Sequence, residues 1–162
     1  LGDSCVAFIG ACDIPFEHMV DGEDVLAKSA IRGGLMLHFI IEKFGTSLET
    51  AVGLQRLFAA IVREELEKLC PGKAFIREGD DIYLKDGKAN DAKLSISIAT
   101  VSPVSALIHF AVNITNDDTP VKTLALSDLG LEAKAFADQV GARFINENET
   151  IKQATQKVRW VK

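Results

Sequence analysis

The stretch from Gly45 to Gly72 constrains this chain most, because it reads as a capped amphipathic helix of about six turns that needs a second layer to cover its apolar face. Thr46-Ser47-Leu48-Glu49 has the form of a capping box. The Thr46 hydroxyl can take the free amide at Glu49, and the Glu49 carboxylate can reach back to the cap. Leu48, Val52, Leu54, Phe58, Ile61, Val62, Leu66 and Leu69 then form an apolar stripe, with Arg56, Arg63, Glu64, Glu67 and Lys68 mostly off it. Cys70-Pro71-Gly72 ends the pattern. The spacing predicts a helix over 47–69.

The layer under that helix is legible on both sides of it. Cys5 to Ile9 reads as a buried strand ended by Gly10 and the turn at Asp13-Ile14-Pro15, and residues 16–34 read as polar and irregular. Residues 35–44 alternate Leu35, Leu37, Phe39 and Ile41 against Met36, His38, Ile40 and Glu42, the period of a strand. Three short strands follow the helix, at 74–77, 81–84 and 94–100. Asp86-Gly87 is a hairpin signal, widened by 88–91. Residues 106–114 form a continuous apolar run closed by Thr115 to Pro120, and from Ser127 onward the pattern is helical. The order of elements predicts an α+β fold, a mostly antiparallel sheet with helices packed on it.

With 162 residues, the chain is expected to form a single domain over 1–162, and its apolar opening suggests that a short N-terminal segment is lacking. The net charge of −5 argues against a nonspecific grip on nucleic acid, which requires a basic face. No apolar run approaches the length of a membrane span and no signal peptide is visible, so no membrane partner is expected. Cys5, Cys12 and Cys70 form no Cys-x-x-Cys pair and read as buried thiols, which fits a cytoplasmic protein. His18, His38 and His109 are too scattered in sequence to suggest zinc, and no metal-binding residues are expected.

Asp81-Ile-Tyr-Leu-Lys-Asp-Gly87, with Lys93-Leu-Ser-Ile-Ser-Ile98 after it, resembles the catalytic core of biotin and lipoate protein ligases, a fold related to class II synthetases. Gly79-Asp80-Asp81 stands where that family has an Asn-Asp pair, and Lys93-Leu94-Ser95 stands at its lysine motif. Ile108-His-Phe-Ala-Val-Asn113-Ile is similar to its Gly-Ile-Gly-Ile-Asn-Val strand, with the Asn kept. Cys-Asp-Ile-Pro (12–15), Leu-His-Phe-Ile (37–40), Ser-Ile-Ala-Thr (97–100) and the ending Lys-Val-Arg-Trp-Val-Lys resemble more closely a family of uncharacterised, chiefly archaeal conserved proteins of that fold.

The resemblance implies an ATP-dependent ligase or acyltransferase that activates a small carboxylic acid as its adenylate, with ATP and Mg²⁺ as cofactors and an acceptor protein as a possible partner. Lys93 would be the catalytic residue, a fixed ammonium that stabilises charge growing on carboxylate and phosphate. Asp80 and Asp81 would hold Mg²⁺ or the nucleotide, Asn113 would orient a phosphate, and Arg32 beside Gly33 and Gly34 would contact phosphate. An acyltransferase would need a thiol, for which Cys12 is the nearest candidate. The alternative is a non-catalytic domain that keeps the pocket and senses a nucleotide or acyl metabolite. A homo-oligomer is compatible with either.

Each residue also has a plain structural reading. Lys93 can be a solvated lysine at a strand start, Asp80-Asp81 a turn, Asn113 a strand cap, Arg32-Gly33-Gly34 a loop, and His38 a hydrogen-bonded core histidine. Lys88 competes with Lys93 because it follows Asp86-Gly87 directly. The chain also departs from the ligase pattern. Only Arg32-Gly33-Gly34 stands where the ligases have a glycine- or arginine-rich phosphate loop. Ile96, His109 and Ala111 replace family glycines, which narrows the pocket or changes its occupant.

Overall fold

A computed structural model of the protein describes residues 2–28, 31–85, 92–117 and 123–161. Among the described residues, seven strands and three α-helices follow in the order β1 (Ser4–Ile14), α1 (Gly22–Ala27), β2 (Ile31–Phe44), α2 (Leu48–Leu69), β3 (Phe75–Glu78), β4 (Asp81–Leu84), β5 (Ala92–Lys93), β6 (Ser95–Val101), β7 (Ser105–Asn113) and α3 (Ala133–Gln156). Short 3₁₀ turns lie at Phe16–His18 and Ser127–Leu129. The strands form a four-stranded sheet, β1-β2-β7-β6, and a three-stranded sheet, β3-β4-β5, with every strand pairing antiparallel. The α+β class and the antiparallel sheet are as the sequence predicts.

The helix α2 forms where its stripe requires, but its cap lies one residue later than the capping-box reading. Ser47, not Thr46, is the N-cap, and its hydroxyl accepts from the amide of Thr50 at 3.2 Å. Gly45, at φ +60°, turns the chain out of β2 immediately before. The buried face of α2 lies across one face of the larger sheet. There Phe58 meets Phe39 of β2 at 4.9 Å, Phe110 of β7 at 5.1 Å and Phe144 of α3 at 5.0 Å between ring centroids, all edge to face. Glu65 on α2 is buried and receives Arg143 of α3 at 2.9 Å, which ties the two helices together.

Several boundaries differ from the sequence reading. Cys5–Ile9 belongs to an 11-residue edge strand in which Val6, Phe8 and Ile9 are about half exposed, because among the described residues β1 has a neighbour on one side only. Residues 16–34 are not irregular throughout: Asp21 caps the short α1 by accepting from Glu23 and Asp24 amides. Arg32-Gly33-Gly34 is not a loop but the start of β2, where Asp13 pairs with Arg32 and Cys12 with Gly33. The register shifts between Gly10 and Cys12, so that Gly34 and Leu35 together face Ala11 as a bulge. This bend turns Gly34 N–H toward Asp117 O, 3.1 Å away, and lets Leu35 O accept from Ile114 N at 2.9 Å.

The predicted strand 94–100 is β6 to within one residue, and a separate two-residue strand, β5, precedes it. β5 pairs with β4, β6 pairs with β7, and Leu94 is the crossing, donating to Ile82 O in one sheet and accepting from Asn113 N in the other. The tail opens with the 3₁₀ turn Ser127–Leu129, breaks at Gly130 with φ +68°, and is α-helical from Ala133. The Asp86-Gly87 hairpin, Lys88 and residues 118–122 lie outside the described residues.

Candidate functional site

The two faces of the four-stranded sheet carry alternate residues of the same strands. One face lies under α2 and α3. The other opens onto a cleft of about 910 Å³, roofed on one side by residues of the 14–32 segment. Met36 and Ile40 of β2, Ile96 and Ile98 of β6, and Leu107 and His109 of β7 make its floor. At one end of this largely apolar floor stand Lys93, Asp80, Asp81, Asn113 and Thr123, and Asp21, Glu23 and Asp24 line the side contributed by α1.

The polar end is assembled by the crossing at Leu94. β4 and β5 bring Asp81 beside Lys93, where Lys93 Nζ lies 2.8 Å from Asp81 Oδ2, each side chain roughly one-third exposed. Tyr83 O–H donates to the same oxygen at 3.1 Å, and burial followed by the nearby Asp81 charge pushes the Tyr83 phenol up to about 12. The Lys93 carbonyl accepts from Leu124 N at 2.9 Å, so the backbone that carries the ammonium is fixed. Asn113 is buried and donates from Nδ2 to Leu124 O at 3.1 Å, which makes it a bridge between β7 and the segment beyond it. Asp80 is held by Gln55 Nε2 at 3.0 Å and Arg56 at 3.5 Å. Burial raises its pKa, against the opposing effect of its own backbone amide.

Lys93, Asp80, Asp81, Asn113 and Arg32 thus line one cleft although they span 82 positions, 32 to 113, of the sequence. Gly33 and Gly34 do not line it. A Cβ on Gly33 would lie 2.6 Å from Met36 Sδ, and one on Gly34 3.0 Å from Asp117 O, so the chain itself fills the space beside both glycines. Arg32 points to Asp13, 3.2 Å away at an exposed position.

These contacts decide how well the site suits ATP and Mg²⁺. Gly33 pairs with Cys12, Gly34 sits in the bulge and the chain fills the space beside both, while three of the four Asp80 and Asp81 carboxylate oxygens already meet protein donors. No group of three or more His, Cys, Asp or Glu residues capable of holding a metal occurs among the described residues. The residues present do not fit a magnesium triphosphate. Cys12 is buried and burial raises its thiol pKa, opposite to the need of a thiolate nucleophile. No described helix is long and apolar enough to cross a membrane.

The sequence reading gave no role to Gln55 or Tyr83, and took His109 only as a replacement for a family glycine and as a histidine too isolated for zinc. Gln55 interrupts the apolar face of α2 between Ala51 and Ala59 with a polar group, and it also donates to Ser97 Oγ at 2.9 Å. His109 shares the cleft side of β7 with Asn113, a periodicity hidden by the continuous apolar run around it.

Comparison with known proteins places this architecture. The family model described as domain of unknown function DUF366 matches residues 1–159. An uncharacterized protein of Methanocaldococcus jannaschii is 33% identical over 136 residues, 80% of this chain, and the chain spans 58% of that protein's length. A protein of unknown function from Pyrococcus horikoshi superposes with a TM-score of 0.90 at 39% identity, covering all of this chain and 84% of that one. More distant structures share the fold. The bipartite lipoate protein ligase of Thermoplasma acidophilum gives a TM-score of 0.59 at 13% identity (90% of this chain, 71% of that one). The biotin protein ligase of Aquifex aeolicus in complex with biotin and ATP gives 0.54 at 19% identity (75% and 52%).

Proposed function

The chain belongs to the DUF366 family, whose fold is that of the biotin and lipoate protein ligases, and we propose that its cleft binds a small carboxylic acid with an extended apolar tail. The observation that carries this reading is the placement of Lys93. Its ammonium is held by Asp81 at 2.8 Å at one end of a long floor of aliphatic side chains. One of its three protons serves Asp81, and the others can meet a carboxylate in a setting drier than bulk water. The floor from Ile96 and Met36 to Ile98, Ile40 and Leu107 gives the tail an apolar surface of the right length. The biotin named with the Aquifex aeolicus ligase, a carboxylic acid with an aliphatic side chain, agrees with this division into a charged head and an apolar body.

Of the two readings open to the sequence, a non-catalytic domain that senses a nucleotide or acyl metabolite has more support than ATP-dependent activation, and we take the metabolite to be an acid. The space beside Gly33 and Gly34 is filled, and Asp80 and Asp81 are engaged by Gln55, Arg56, Lys93 and Tyr83. The activation reading is favoured by one specific observation: Lys93, Asp80, Asp81 and Asn113 line the same cleft. A cytoplasmic location is part of the proposal and accords with three free cysteines. So is an acceptor protein, if activation occurs.

One experiment separates the readings. Titration calorimetry with straight-chain carboxylic acids is run beside pyrophosphate exchange into ATP on the same preparations. Binding without exchange, weakened about ten- to a hundredfold by Lys93→Ala, is the expected result. Exchange that depends on Lys93 would transfer the assignment to a ligase, and no binding of any acid would overturn the carboxylate reading.

A further inference from the structure

The apolar floor of the cleft contains one polar couple. His109 Nε2 lies 2.9 Å from His38 Nδ1, and His38 Nε2 lies 3.2 Å from Gly10 O. The two imidazole planes are within 15° of each other with centroids 5.2 Å apart, as an end-to-end, in-plane N–H···N bond requires. Phe8 stacks on His38 at 4.8 Å and holds that ring in place.

This chain of contacts fixes the protons. A carbonyl only accepts, so His38 Nε2 carries the hydrogen that points to Gly10 O. In the neutral ring, His38 Nδ1 is then bare and accepts, so the hydrogen between the rings belongs to His109 Nε2. Burial first, and the neighbouring His38 second, push the His109 pKa down to about 4, so His109 is neutral near pH 7 and its Nδ1 keeps a lone pair. That nitrogen has no protein partner among the described residues and is not among the buried, unpartnered polar atoms, so it is open to the cleft that His109 lines.

Its position along the floor is also set. His109 and Asn113 lie on the same side of β7 four residues apart, roughly 13 Å at the rise of a strand. Between them is Ala111, flanked by Ile96 on β6 and by His38 on β2, whose ring nitrogens are taken by His109 and Gly10, while Met36 lies opposite Asn113. A ligand with its carboxylate at Lys93 would therefore pass its tail over Ile96 and Met36 and reach the fixed acceptor at His109.

We propose that His109 Nδ1 is a specificity-determining hydrogen-bond acceptor, and that the cleft selects acids whose far end carries an N–H or O–H donor over acids with a purely aliphatic tail. This rests on the acid-binding reading above for the head group, while the acceptor itself stands on the geometry of the histidine pair. His38 is a positioning residue, since it acts by fixing the His109 tautomer.

The test uses probes with and without the head group. δ-Valerolactam and its N-methyl derivative carry no carboxylate and differ in one N–H. An ω-carbamoyl alkanoic acid and its N,N-dimethyl amide add the carboxylate. Nitrogen-15 spectra at pH 7 should report a protonated Nε2 and a bare Nδ1 for His109, and a proton on Nδ1 would overturn the proposal. The lactam should bind at least about tenfold tighter than its N-methyl derivative. His109→Phe, or His109→Ala if the larger ring unfolds the protein, should erase that difference, while Lys93→Ala should leave it intact. Equal binding of the two lactams, no lactam binding at all, or a preference that survives loss of His109 would overturn the proposal. Lactam discrimination without acid binding would overturn only the carboxylate reading, and acid binding without discrimination only the role of His109.

Discussion

On one side of β2 and β7, Phe39 and Phe110 close on Phe58 of α2. On the other side, one residue along each strand, His38 and His109 meet beneath an open cleft. The helix-covered face is held by aromatic rings that need no partner beyond one another. The cleft face keeps aliphatic side chains half covered and places its few polar groups, Lys93, Asn113 and the histidine pair, in fixed hydrogen-bonded arrangements. The difference teaches that the packed core and the open cleft fall on opposite faces of the same strands, so the proposed binding would draw on side chains the core does not use. Substitutions on the two faces should therefore separate into two classes of effect.

The largest effect is expected on the helix-covered face. Phe58→Ala removes the ring shared by Phe39, Phe110 and Phe144 and should lower the unfolding free energy by about 3–5 kcal/mol, read from urea denaturation, with carboxylic-acid binding to the surviving folded fraction unchanged. A loss below 1 kcal/mol would break the contrast. Next is the bulge where the faces meet the 113–117 segment. Gly34→Ala sets a methyl 3.0 Å from Asp117 O and should cost roughly 1–3 kcal/mol, measured as a lower urea midpoint.

The cleft face should show itself through pH. His109 is held near pKa 4 in the folded protein and returns to about 6.5 when unfolded, so between these values the unfolded chain binds the extra proton. The stabilising contribution of neutral His109 is thus complete above about pH 6.5 and is lost as pH falls toward 4, with a slope of at most about 1.4 kcal/mol per pH unit. His38, lowered by burial, acts in the same direction, whereas Asp80, raised by burial, acts in the opposite one. Urea midpoints at pH 7, 5.5 and 4.5 should therefore fall more steeply for the native chain than for His109→Phe. Parallel slopes would show that the pair does not titrate as described.

The smallest change in stability is expected at Lys93. Its ion pair with Asp81 is partly solvated, so Lys93→Ala should shift the unfolding free energy by less than about 1 kcal/mol. A drop of several kcal/mol in a melt would make Lys93 a structural residue of the β4–β5 pair rather than a ligand contact.

What the sequence determined by itself was the local and the periodic. The apolar stripe of α2 recurs at spacings that bring residues to one helix face whatever else the chain does, so its extent was readable to within a residue, although the cap fell on Ser47 and not Thr46. The alternation over 35–44 identified the two sides of β2 before anything was known to lie on either. The family motifs singled out Lys93, Asp81 and Asn113, which the fold brings to one cleft. Tertiary structure alone decided the rest. Arg32, Gly33 and Gly34 lie in a strand because β1 extends far enough to pair with them, and no residue nearby announces that extension. His38 and His109 are 71 positions apart, and only the register of β2 on β7 brings their nitrogens to 2.9 Å. Pairing register is set by the sum of many weak side-chain contacts across the sheet, so it cannot be read from either strand alone.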